Sequence, residues 1–84
     1  MKHIVKIWPE YFDLLSTGEL TSCVRKNDRN YQASDILETR EINPDSKRET
    51  GRTSTWRITH VFHGDIRFGC DLGEFVVLSL RRDE

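Results

Sequence analysis

Arg25, Lys26 and Arg29 lie close together in "CVRKNDRNY", which opens on Cys23 and closes on Tyr31. Cations at this density bind phosphate oxygens, and an aromatic at the end of the run offers a face on which a base stacks. Such contacts weaken as salt rises. The same residues also permit a structural reading, in which Asp28 or Asp35 pairs with Arg25 or Arg29 and fixes a turn. A second basic group, Lys47, Arg48 and Arg52, sits in "SKRETGR" and is diluted by Asp45 and Glu49. It reads either as a flexible arm that closes over a nucleic-acid backbone or as a solvated hairpin tip. His60 and His63 bracket Val61 and Phe62. In a strand this odd offset puts the two rings on opposite faces, which argues against a shared metal. His60 then reads as a core or cleft histidine bonded to backbone. No catalytic set stands out: the acids have no distinctive spacing, and there is no Gly-rich phosphate loop and no Ser-His-Asp order. No cofactor or metal is expected. Cys23 and Cys70 form no CxxC pair and read as two reduced thiols.

These residues must be held by a small set of elements. "HIVKI" is short and β-branched, a strand. "WPEYFDLLSTG" changes period. Pro9 suits the first helical position, Glu10 suits the positive end of the helix dipole, and Gly18 suits the C-terminal cap. "LTSCVRK" is a strand whose alternation sets Leu20, Ser22, Val24 and Lys26 on one face and Thr21, Cys23 and Arg25 on the other. Arg25 and Lys26 therefore point to opposite faces, so both cannot enter one cleft. "NDRN" is a turn and "SDILETREI" a third strand. Asn43 to Gly51 is the clearest loop, a mobile hairpin arm. "RTSTWRITHVFHG" is a fourth strand, with Trp56, Ile58, His60 and Phe62 on one face. "DIRFGCDLG" reads as a loop. "EFVVLSL" is a fifth strand whose continuous apolar run suggests burial on both sides. Trp56 is expected in the core and Trp8 half-exposed beside the helix start.

The chain has 84 residues and makes one domain, residues 1–84. Hydrophobic residues are 36% and charged residues 32%, a globular rather than a disordered balance. The net charge of -1 argues against a protein that coats nucleic acid by bulk charge, so any such binding needs a local positive patch. No apolar run approaches the roughly 20 residues of a membrane span, and the start of the chain lacks a signal-peptide pattern. A cytoplasmic protein without a membrane partner, monomeric or weakly dimeric, is expected. One early helix and five strands predict a mostly β (α+β) fold that closes into a small barrel to remove exposed edges.

Several motifs in order resemble one family. They are "PEYF" at Pro9 to Phe12, "RKNDR" at Arg25 to Arg29, the small-small-Asp step Ala33 to Asp35, "TGR" at Thr50 to Arg52, and "FVVLSL" at Phe75 to Leu80. Together they are similar to ASCH domains of the PUA-like superfamily, closest to a short uncharacterised subfamily of phage and bacterial genomes. The resemblance spans almost the whole chain. It implies a small PUA-like β-barrel with a cleft beside the N-terminal helix that takes RNA or a modified nucleoside. ASCH domains carry a Gly-x-Lys-x-x-x-x-Arg pattern at that cleft. Here Gly18 and Arg25 match it and Leu20 replaces the lysine. Some ASCH proteins resemble amidohydrolases of acetylated cytidine, with a Lys, a Thr and a Glu in catalysis. The positions matching the first two are Leu20 and Cys23, and a leucine cannot act as a base. The resulting expectation is RNA or nucleotide binding through Arg25, Lys26, Arg29, Tyr31, Arg48 and Arg52. Arg25 is the cleft residue and Lys26 sits at the rim. The alternatives are a phage-encoded module that modulates a host protein in the host cytoplasm, and an altered nucleoside amidohydrolase.

Overall fold

The structure is a computed structural model and describes residues 1–83. Strand β1 (Lys2–Ile7) alternates strictly, with His3, Val5 and Ile7 inward. Helix α1 (Pro9–Thr17) follows with Pro9 in its first turn, and Gly18 ends it at φ 82°, donating its N–H to the Leu15 carbonyl at 3.2 Å. That left-handed geometry is where a glycine is free of Cβ strain. Phe12 and Leu15 are the buried face of α1. The helix is pinned from outside by Arg52, which donates to Asp13 at 2.6 Å, and by Arg82, which donates to the Ser16 carbonyl at 2.8 Å.

Strands β2 (Ser22–Lys26), β3 (Ile36–Ile42), β4 (Glu49–Phe62) and β7 (Phe75–Arg82) complete a five-stranded sheet in the order β1-β3-β4-β7-β2. The β1–β3 pair is parallel and the other pairs are antiparallel. The sheet curls around a core that includes Val5, Tyr31, Leu37, Trp56, Ile58 and Leu78, with Phe12 and Leu15 of α1 packed in. The fold is thus mostly β with one short helix, as expected. The barrel, however, is a half-barrel: β1 and β2 end the strand order and do not pair. No helix among the described residues is long and apolar enough to cross a membrane.

Four expectations need correction. The segment after β4 is not a plain loop. It makes a small second sheet, β5 (Gly64–Asp65) and β6 (Cys70–Asp71), around a 3-10 turn at Ile66–Phe68. The loop expected from Asn43 to Gly51 is shorter, a turn with β4 already begun at Glu49. The Asn43 side-chain carbonyl accepts from the N–H groups of Asp45 and Ser46, and the Asn43 N–H donates to the Arg48 carbonyl. β7 is buried on one face through Val76, Leu78 and Leu80, while Phe75 is exposed, because the other face of the curled sheet is open. Finally, β4 bulges between Ile58 and His60. The extra residue resets the alternation. Val61 packs on the core and His60 is exposed, so His60 is neither a core nor a cleft histidine.

Candidate anion site at the open seam

Arg25 and Arg29 span the gap between the two unpaired edges. The Met1 carbonyl accepts from the Ile36 N–H at 2.9 Å, which sets the odd residues of β1 toward β3. The N–H and C=O groups of Ile4 and Lys6 therefore point the other way, into the seam. Arg25 Nη2 donates to the Lys6 carbonyl at 2.9 Å, and Arg29 Nη1 donates to the Ile4 carbonyl at 2.7 Å. Arg25 Nε also donates to Cys23 Sγ at 3.0 Å. The two acceptors that an edge strand leaves orphaned are thus satisfied by side chains rather than by a neighbouring strand.

Neither guanidinium meets a carboxylate. The carboxylate pairing of the structural reading does not form among the described residues: Asp28 makes no ion pair, and Asp35 is committed elsewhere. It accepts from His3 Nε2 at 2.8 Å, from the Met1 amine at 3.1 Å and from the Gln32 N–H at 3.1 Å. The His3 hydrogen bond holds the Asp35 carboxyl below its usual range, against the opposing effect of burial. A guanidinium carries five N–H donors. Arg25 uses two of them and Arg29 one, so both retain donors for an acceptor-rich ligand.

A cavity of about 490 Å³ opens at this seam. Its cations are Lys6, Arg25, Lys26, Arg29 and Arg40, and its acids are Asp28 and Glu49. Arg40 is neutralised by Glu38 at 2.6 Å and Glu49 at 3.5 Å, and Lys26 lies 3.8 Å from Glu74. Lys6, Arg25 and Arg29 have no carboxylate partner among the described residues, which leaves the cavity positive. Arg25 and Lys26 both border it, contrary to the parity expectation. Lys26 is the last residue of β2, and the chain turns there through the Asp28 N–H to the Lys26 carbonyl at 2.9 Å.

The remaining expected site residues fall in different places. Tyr31 is 3% exposed, with its ring edge-on to His3 at 4.7 Å. It is a core residue that borders the cavity from behind, not an open stacking platform. Burial pushes its phenol up, opposed by the Arg29 and Arg25 charges, so the hydroxyl stays protonated. Arg52 is already paired with carboxylates and lies outside the cavity wall. It donates to Glu41 at 2.6 Å and to Asp13 at 2.6 Å and lies over the Phe12 ring at 4.4 Å. Those hydrogen bonds hold the Glu41 carboxyl below its usual range and the Arg52 guanidinium above its own. Arg48 is exposed on the β3–β4 turn and outside the cavity wall.

Sequence reasoning missed Lys6, Arg40 and the Ile4 and Lys6 backbone. A second cavity of about 430 Å³ lies between α1 and β2, beside the N-terminal helix where the resemblance places a cleft, and is walled by Trp8, Tyr11, Leu15, Leu20, Cys23 and Arg25; of these walls only Arg25 was an expected binding residue. The strict alternation of β1 carried a partial signal, since it leaves Lys6 off the core face. Trp8 is half-exposed, as expected, and Lys47 Nζ lies 4.8 Å from its ring centre. Cys23 and Cys70 are free thiols. No cluster of metal-ligating side chains occurs among the described residues.

Fold and seam together define a small α+β half-barrel with a cationic cavity where the barrel stays open. The chain belongs to the family described as a domain of unknown function, DUF3850, whose model matches residues 2–80. The match runs from β1 into β7 and so includes both edges of the seam. No curated protein matches the sequence.

Proposed function

We propose that this is a small PUA-like domain that binds RNA or a nucleotide by its phosphate at the seam cavity. One observation carries the reading: Lys6, Arg25 and Arg29 converge on one cavity without a carboxylate partner among the described residues. Arginine forks suit phosphate because two parallel N–H groups meet two oxygens. The ASCH-like motifs support the reading through Arg25, which ends the family's cleft pattern and borders both the seam cavity and the cavity beside α1. Binding is preferred to amide hydrolysis. The position of the family's lysine is Leu20, a wall of the second cavity, and neither a carboxylate nor a histidine lines that cavity to activate Cys23.

Anisotropy titration of a labelled single-stranded RNA at two salt concentrations tests the reading. The expected result is binding whose log affinity falls with log salt by about 0.7 for each phosphate neutralised, and a smaller slope for Arg29→Gln. No binding of RNA or nucleotide at low salt sinks it. A second reading, a module that docks on a host protein, draws on Ile66 and Phe68, each 84% exposed on the β5–β6 excursion. Stoichiometric capture of one protein, abolished by Phe68→Ser and indifferent to Arg29→Gln, would decide for that reading.

A further inference from the structure

We infer that the two cavities form one bipartite site for a single nucleotide, with its phosphate at Lys6, Arg25 and Arg29 and its base in the aromatic cavity against α1. The inference rests on the phosphate-binding reading above and deepens it by placing the base. Lys6 and Arg25 belong to the walls of both cavities, so the two spaces are neighbours across that pair. Their chemistries differ. The seam cavity offers guanidinium donors and an unpaired ammonium. The second offers Trp8 and Tyr11, 36% and 48% exposed, with Leu15 and Leu20.

A ligand that satisfies both needs an anionic end and a flat apolar body joined by a short linker. A nucleoside 5′-phosphate has this form: phosphate, ribose, base. Inorganic phosphate leaves the aromatic cavity empty, and a free nucleoside leaves the guanidiniums unused. The aromatic cavity also carries the means to hold a base edge. Ser22 lines it and its hydroxyl makes no hydrogen bond among the described residues. The Trp8 indole is steadied by Lys47, whose ammonium lies 4.8 Å from the ring centre. Arg25 joins the two halves, fixed by its bonds to Cys23 Sγ and the Lys6 carbonyl.

Calorimetric titration of the whole chain with inorganic phosphate, ribose 5-phosphate, the four nucleosides and the four ribonucleoside 5′-monophosphates tests this. Base stacking on an aromatic predicts that at least one monophosphate binds roughly tenfold or more tightly than ribose 5-phosphate and than its own nucleoside. Trp8→Ala is expected to reduce that monophosphate to the affinity of ribose 5-phosphate while leaving ribose 5-phosphate unchanged. Arg29→Gln is expected to weaken both. Tyr11→Ala, at a more exposed position, serves the same purpose if Trp8→Ala does not fold. Equal affinity for monophosphate and ribose 5-phosphate overturns the bipartite site and leaves phosphate binding standing. So does indifference of the monophosphate to the folded aromatic variant. RNA binding without any mononucleotide binding overturns the inference alone. Failure of every phosphate compound and of RNA at low salt removes the underlying reading as well.

Discussion

Replacing Arg25 and Arg29 by Met, singly and together, should loosen β1 at the seam. Each side chain donates a charge-assisted hydrogen bond to a carbonyl that no strand satisfies, at 2.9 Å to Lys6 and 2.7 Å to Ile4. Hydrogen bonds to charged groups contribute about 1.5–3 kcal/mol, and solvent at an open seam lowers this. Arg25 is half-buried and Arg29 exposed, so about 1–2 kcal/mol for Arg25→Met and about 0.5–1 kcal/mol for Arg29→Met are expected. A chain of this length unfolds with an entropy of about 0.18 kcal/mol per kelvin, so the Arg25 change lowers Tm by roughly 6–11 °C. Both ties hold the same strand, so the double variant should deviate from additivity. Thermal melts give the magnitudes. Hydrogen exchange locates the effect: the amides of Val5 and Ile7, which face β3, should speed up more than those of β4 and β7, which follow only the loss of global stability. If the double variant keeps the Tm of the parent and β1 exchange is unchanged, the arginines do not close the seam, and their geometry needs another explanation.

Three further outcomes follow from the packing. Leu37→Ala, at a fully buried position on β3 between β1 and β4, should cost about 2–5 kcal/mol in denaturant unfolding. Because His3 holds the folded Asp35 carboxyl below its unfolded value, Asp35 contributes stability above its unfolded pKa near 4, and this is lost as pH falls through the folded value. Asp35→Asn should therefore lower Tm at neutral pH, and the gap to the parent should shrink under acid; a gap independent of pH would refute this. Gly64→Ala should destabilise the β5–β6 excursion, because φ is 95° and the new Cβ would lie 2.7 Å from the Cys70 carbonyl oxygen. Faster exchange confined to Gly64 through Asp71 is the readout.

The helix was readable because its signals are local. Proline, glycine and the apolar stripe act within one or two turns, and no distant contact overrides them. The five main strands were readable from short β-branched, alternating or apolar runs for the same reason, but the continuous apolar run of β7 did not show that one of its faces stays open. The bulge near Thr59 was not readable, because it answers to the partner strand β7, and it moved His60 to solvent and Val61 to the core. Arg52 looked like a free cation in a polar loop. Its partners Asp13 and Glu41 are distant in sequence and are brought together only by the β3–β4 hairpin crossing α1. Tyr31 followed a basic run and read as a stacking residue, yet the turn before β3 folds it onto His3. Arg25 was identified as the cleft residue, but its seam contacts required knowing that β1 and β2 face one another without pairing.

The most direct test of anion binding at the seam is an NMR titration of the whole chain with a short single-stranded oligoribonucleotide at low salt. The expected result is perturbation of the Arg25 and Arg29 Nε–H signals and of the Ile4 and Lys6 amides, with the Arg52 Nε–H signal unmoved. No perturbation, or one centred on Arg48 and Arg52 or on Ile66 and Phe68, would contradict it.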